Sequence, residues 1–136
     1  MRLDEIFNDL INPAITDKEQ LLFQLEKLMS KADSFEPIAH KNELIKVDGD
    51  IFTKVWQEAS KWRESGRLLD LVKKIRCPII AIHGDYDPHP AEGIEKPLAK
   101  ASNNFKFFLL EKCGHTPWIE KYAKDRFYDI LREELK

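Results

Sequence analysis

The chain has 136 residues and a formal net charge of −2, which results from 22 basic and 24 acidic side chains. This balance lacks the excess of positive charge that binding to a nucleic acid backbone requires, so we expect no nucleic acid partner. Cys77 and Cys113 are the only cysteines, too few for a disulfide framework.

The N-terminus and the apolar runs indicate where the protein resides. The stretch MRLDEIFNDL is charged and lacks the apolar core of a signal peptide. The longest apolar runs, such as PIIAI and FKFFLL, are far shorter than the roughly 18 residues that cross a bilayer. We therefore expect a soluble cytoplasmic protein with no membrane segment.

Residues 1–75 are predicted to be mainly helical. Thr16 and Glu19 have the spacing of a capping box at the start of a helix over residues 17–31. Apolar residues follow at helical spacing along that helix and give it one face that must pack: Leu21, Leu22, Leu25, Leu28 and Met29. A connector without a sustained period comes next, and His40 within it is interpreted as solvated.

A further helix begins near Asp50 and ends at Gly66, which can supply a left-handed C-cap. Trp56 and Trp62 lie on its apolar face. This position favours packing in a core, although two aromatic rings on one stripe could also line a substrate pocket.

From residue 76 the pattern changes to β-α-β-α. The run CPIIAIHG is typical of a parallel strand buried on both faces, and FKFFLL at residues 105–110 predicts a second strand. Between them residues 91–102 can form a crossover helix, which Pro97 is expected to shorten or kink. A closing helix begins at Pro117. In such units the loops after parallel strands meet at one edge of the sheet, where ligands bind.

These two loops carry the chemistry of the chain. The first is HGDYDPH and the second is EKCGHTPW, so carboxylates follow the first strand and a histidine follows the second. A carboxylate that accepts the Nδ1 proton of an imidazole fixes the tautomer and stabilises the charge when the ring takes a proton. The topology therefore predicts an acid and base pair.

The segments CPIIAIHGDYDPHP and LEKCGHTPWIE together resemble the C-terminal part of the α/β-hydrolase family. The family's Gly-x-x-Asp pattern matches Gly84 to Asp87, and its Gly-His-x-Pro turn matches Gly114 to Pro117. The resemblance implies that Asp87 is the triad acid and His115 the triad base, with an ester-like small molecule as substrate and no cofactor. Residues 1–75 would be the helical cap and residues 76–136 the C-terminal segment of the core.

The nucleophile of that family is missing from this chain. It stands in a Gly-x-Ser-x-Gly elbow, and no two of the five glycines are four residues apart. We therefore expect an incomplete α/β-hydrolase fold, a C-terminal fragment that is inactive alone and associates with itself through its open sheet edge. The alternative is a non-catalytic interaction module derived from a hydrolase. Haloperoxidases and dehalogenases share the acid and the histidine, so the reaction class stays open.

Other interpretations of the polar residues compete with the triad. His83, Asp85, Asp87 and His89 alternate, and their side chains suit zinc or manganese, but strand alternation would scatter them and we expect no metal. Asp85 is interpreted as a turn-capping residue. Cys113 stands close to His115, yet a small buried filler is favoured over a nucleophilic thiol.

Overall fold

The computed structural model describes residues 3–12, 14–16, 18–38 and 48–136. They form a mixed helical and sheet structure with one two-stranded parallel sheet, which agrees with the expected α/β class. Its elements in chain order are α1 (Leu3–Ile11), α2 (Lys18–Ala32), α3 (Gly49–Glu64), α4 (Arg67–Val72), β1 (Ile79–Gly84), α5 (Glu92–Ala101), β2 (Phe105–Leu110), a 3-10 turn (Pro117–Ile119) and α6 (Lys124–Glu134).

The chain divides into two compact units. The helical unit contains α1, α2 and α3, and the sheet unit contains residues 33–38 together with residues 68–136. The sequence predicts a boundary after residue 75, whereas this grouping places residues 33–38 and most of α4 with the sheet. Among the described helices, none combines the length and apolar character needed to cross a membrane.

The helical unit is built around a small apolar cluster. The helix predicted over residues 17–31 is confirmed as α2, which begins at Lys18, and position 17 lies outside the described residues. Its inward residues Leu22 and Leu25 pack with Ile6 and Leu10 of α1, and all four are buried. This pairing follows from the helical spacing of the apolar residues.

Helix α3 shows a face that the sequence placed in a core but the structure leaves open. Asp48 caps its start by accepting the N–H of Ile51, and Gly66 follows its end with a φ of 73°, as predicted. Trp56 is 52% exposed, so its expected burial is wrong. Phe52 is the α3 residue that packs on the cluster of α1 and α2. Arg63 lies over the Trp56 ring instead.

The parallel pairing of β1 and β2 confirms both predicted strands. Their register runs from Ile79 opposite Phe105 to Gly84 opposite Leu110. Helix α5 forms the crossover and extends past Pro97, so the expected shortening is wrong. The expected burial of β1 on both faces is also wrong, since residues 79–82 of the strand are only half-buried. Two strands present too little sheet to be covered on both faces.

The chain after β2 does not form the single closing helix expected from Pro117. A 3-10 turn ends at Ile119, Glu120 is extended with a ψ of 129°, and α6 begins only at Lys124. The interruption has a clear cause, because Glu120 forms an antiparallel bridge with Pro37. The backbone N–H of Ile38 donates to the carbonyl oxygen of Ile119 at 2.8 Å, and the backbone N–H of Lys121 donates to the carbonyl oxygen of Glu36 at 3.0 Å. Backbone engaged in this pairing cannot also be helical.

The sheet unit has its own core. Leu110, Cys113, Ala123 and Ile130 are buried together, between the end of β2 and helix α6. Cys113 brings the loop after β2 into this core.

Candidate active site

Asp87 and His115 lie side by side at the carboxyl ends of the two strands. The Oδ2 of Asp87 is 2.8 Å from the Nδ1 of His115. The Asp87 side chain is 5% exposed and the His115 side chain is 53% exposed. The sequence predicted this contact from topology, and the structure confirms the proximity of the two groups.

Backbone hydrogen bonds join the loop of Asp87 to the loop of His115. The N–H of Asp85 donates to the carbonyl oxygen of Leu110, and the N–H of Tyr86 donates to the carbonyl oxygen of Cys113, both at 2.9 Å. The Oδ1 of Asp85 accepts the N–H of Cys113 at 3.2 Å, which agrees with its expected role as a capping residue. Gly84 permits this approach, because a Cβ there would lie 2.1 Å from the carbonyl oxygen of Cys113.

Glu120 holds the other side of the His115 loop. Its side chain is fully buried, and its Oε1 accepts the N–H groups of Phe35 at 2.8 Å and Gly114 at 3.0 Å. Its Oε2 accepts the N–H of Glu36 at 2.9 Å. A carboxylate that accepts three backbone N–H groups is a strong buried anchor. The sequence analysis missed this residue, and no local pattern around it signals the role.

His115 itself is fixed through its backbone. Its N–H donates to the carbonyl oxygen of Asp33 at 2.6 Å, directly after the bond from Gly114 to Glu120. A Cβ on Gly114 would lie 1.9 Å from that same Asp33 oxygen, so the turn requires glycine. The segment at residues 33–38 therefore positions the predicted base. The sequence predicts only a connector there.

Three of the chain's four histidines surround Asp87. Its Oδ1 accepts the backbone N–H of His89 at 2.8 Å and lies 3.0 Å from the His89 Nδ1. The Nε2 of His83 is 3.6 Å from its Oδ2. The fourth histidine, His40, lies outside the described residues. Sequence reasoning considered His83 and His89 only as members of an alternating metal motif, so it missed their contacts with the predicted triad acid.

The environment of Asp87 keeps it ionised. Burial raises the pKa of its carboxyl, but hydrogen bonds from the His89 backbone and from the His115 and His89 rings outweigh burial, and the pKa falls below its usual value. An ionised carboxylate only accepts hydrogen bonds. In a neutral His115 the proton is therefore on Nδ1, and Nε2 keeps its lone pair.

The Nε2 of His115 makes no hydrogen bond to any residue that the structure describes. The His115 side chain is 53% exposed, so the ring is open to a proton donor from outside the chain. The arrangement can accept a proton at Nε2 while Asp87 stabilises the resulting imidazolium.

Cys113 cannot serve as the missing nucleophile. Its side chain is fully buried. Burial and the nearby carboxylates of Glu120 and Asp85 raise the pKa of its thiol to about 12. The reactive form of cysteine is the thiolate, which is negligible at neutral pH for such a group. The interpretation of Cys113 as a buried filler is confirmed.

Comparison of the chain with protein-family models, with curated proteins and with solved structures finds no match. The geometry of the site and the sequence resemblance are therefore the basis for the proposed function.

Proposed function

We propose that this chain supplies the acid and the base of an α/β-hydrolase type triad that cleaves an ester or related acyl bond. The observation that carries the proposal is the 2.8 Å contact between Asp87 Oδ2 and His115 Nδ1. It joins the loops after two adjacent parallel strands, where open α/β folds hold their ligands. Asp87 is the orienting acid and His115 is the general base.

The serine nucleophile comes from outside the 136 residues in this proposal. No Gly-x-Ser-x-Gly elbow is present in the sequence, and the buried thiol of Cys113 is protonated. The half-exposed sheet offers a place for further strands that would bring an elbow to the same edge.

In each step of the reaction one proton moves to or from the Nε2 of His115. The Nε2 of His115 takes the serine hydroxyl proton as the serine oxygen attacks the acyl carbon. The imidazolium, stabilised by the Asp87 carboxylate, then gives that proton to the departing alkoxide and leaves an acyl-enzyme. In the second half Nε2 takes a proton from water, whose oxygen attacks the acyl carbon, and returns the proton to serine.

The first test uses the 136-residue chain by itself with p-nitrophenyl esters of increasing acyl length. We expect no turnover above that of the His115→Ala variant, because one partner of the triad is absent. Turnover by the wild-type chain that His115→Ala abolishes would contradict the external nucleophile and indicate one within these residues.

The second test uses the protein purified from its own cells, with every segment or subunit that accompanies it. A fluorophosphonate probe, which labels activated serines, is expected to label this material at a serine outside the 136 residues. Asp87→Asn and His115→Ala should each abolish labelling, whereas Asp70→Asn, at an exposed aspartate of α4, should not. Equal labelling in all variants, or none in the wild type, would contradict the proposal.

A self-associating module is the second candidate function. The observation that favours it is the exposed apolar surface of the sheet unit, where Leu109 is 53% exposed although it stands within a strand. Sedimentation of the isolated chain at micromolar concentration should then show a dimer, and Leu109→Lys should shift it to a monomer. A wild-type monomer at that concentration would exclude self-association.

A further inference from the structure

We propose that Asp87, His89 and His115 form a Zn²⁺-binding site at the carboxyl edge of the sheet. One ligand-capable atom of each of these residues can be chosen so that all lie within 4.8 Å of one another. This group differs from the alternating motif of the sequence in two ways. Asp85 is not a member, because its Oδ1 accepts the N–H of Cys113, and His115 of the second loop is a member.

The distances among the three side chains suit a small divalent cation. The Nδ1 atoms of His89 and His115 lie 3.0 and 2.8 Å from separate oxygens of the Asp87 carboxylate. Ligands about 2.0–2.1 Å from a tetrahedral Zn²⁺ lie roughly 3.4 Å apart, between the contacts observed here and the 4.8 Å limit of the group. Small side-chain rotations would close the set around one ion, since both imidazole rings are more than half exposed.

His83 lies beside the group but is not one of its ligands. Its side chain is 9% exposed, and its Nδ1 lies 2.8 Å from the carbonyl oxygen of Gly84. A carbonyl oxygen only accepts, so the Nδ1 of His83 donates to it and is not available to a metal ion. Its Nε2 is 3.6 Å from Oδ2 of Asp87, too far for a hydrogen bond.

The donor set favours zinc over the harder cations. Imidazole nitrogens with one carboxylate suit Zn²⁺ and its transition-metal neighbours, whereas Mg²⁺ and Ca²⁺ prefer oxygen ligands. Each coordinating histidine keeps one ring proton, which moves to Nε2 when Nδ1 binds the metal. The open side of the group leaves a position for water or another ligand.

Zinc binding does not depend on the proposed hydrolase function, but bound zinc would interfere with that function. The ion uses the Asp87 oxygen and the His115 nitrogen that form the acid and base pair. Where the proposed function holds, bound Zn²⁺ would therefore inhibit acyl transfer by taking the orienting carboxylate away from the base.

The experiment is a calorimetric titration of ZnCl₂ into the full chain, stripped with EDTA and free of any polyhistidine tag. We expect one ion per chain and an affinity at least ~10-fold weaker in His89→Ala. Asp70→Ala, at an exposed aspartate of α4 that pairs with Lys73, is the control and should bind like the wild type. Circular dichroism of each variant verifies that it is folded, and Mg²⁺ should give no binding heat.

A residue-resolved measurement separates this proposal from the preceding one. In ¹⁵N NMR spectra of the histidine rings, Zn²⁺ should shift the nitrogens of His89 and His115. Absence of zinc binding, or equal weakening by Asp70→Ala and His89→Ala, would overturn the site without affecting the fluorophosphonate result. Zinc binding with no labelled serine would instead refute the hydrolase function and leave the metal site standing.

Discussion

Different kinds of interaction stabilise the interior of the helical unit and the interior of the sheet unit. In the helical unit, a cluster of four buried apolar residues joins α1 and α2, and α3 leaves Ile51 and Trp56 more than half exposed. In the sheet unit, hydrogen bonds between residues 84 and 85 positions apart, centred on buried Glu120, add to an apolar core. The candidate site lies where directional bonds fix the backbone, so changes near it should cost the most.

The largest expected effect comes from Gly114→Ala. The new Cβ would meet the backbone oxygen of Asp33 at 1.9 Å, and backbone cannot yield as a flexible side chain does. We expect a loss of at least ~4 kcal/mol in the free energy of unfolding, or failure to fold. Gly93→Ala is the matched control, because nothing lies within 4 Å of its Cβ and alanine favours the helix. Urea denaturation that finds the two variants equally stable would contradict the close approach at Gly114.

The next effect concerns the apolar core of the sheet unit. Ile130 is 1% exposed, so Ile130→Ala should lower the free energy of unfolding by ~3 kcal/mol through lost burial and a residual cavity. Val55→Ala, at a residue of α3 that is 60% exposed, should change it by less than ~0.5 kcal/mol. Urea denaturation measures both variants. If Val55→Ala lowers the free energy of unfolding as much as Ile130→Ala does, the exposed face of α3 is covered in solution.

Glu120→Gln tests the directional bonds. The amide group of glutamine brings a donor to a place where both oxygens accept N–H groups, and it removes the negative charge. We expect a cost of about 2 kcal/mol in thermal or urea unfolding and a more mobile His115 loop in hydrogen exchange. Glu95→Gln changes an exposed glutamate of α5 in the same way and should have no measurable effect. Identical exchange rates at Gly114 and His115 in Glu120→Gln and the wild type would refute the anchoring role.

The smallest effect is the pH dependence contributed by Asp87. Its folded pKa lies below the unfolded value of 3.8, so its carboxylate stabilises the fold above about that pH. The contribution is lost as pH falls from there through the folded pKa. The difference in unfolding free energy between metal-free wild type and Asp87→Asn should therefore shrink as the pH falls from about 4 towards 3. A difference that grows over that range would contradict the sign of the shift.

Local patterns were sufficient to predict the elements that carry the site. The β-branched run before Gly84 and the aromatic run before Glu111 indicated two parallel strands, and their topology brought Asp87 and His115 together. The order of elements thus predicted the main contact of the site, since parallel strands end at the same edge.

The remaining features depend on contacts that no local pattern encodes. The bridge between Pro37 and Glu120 joins residues from distant parts of the chain, so the interruption after Ile119 could not be predicted from helical periodicity. The burial of Trp56 was predicted wrongly because spacing shows which face is apolar, not whether anything covers it. The second contact of Asp87, with His89, arises from the turn geometry after β1.

The central claim is that Asp87 holds His115 ready to act as a base at Nε2. ¹⁵N and ¹H NMR of the metal-free chain at neutral pH reports which ring nitrogen of His115 carries the proton. The structure predicts the Nδ1–H tautomer with a slowly exchanging proton, and Asp87→Asn should make that proton exchange fast. A wild-type His115 in the Nε2–H tautomer, or an Nδ1 proton whose exchange is unaffected by Asp87→Asn, would contradict the account.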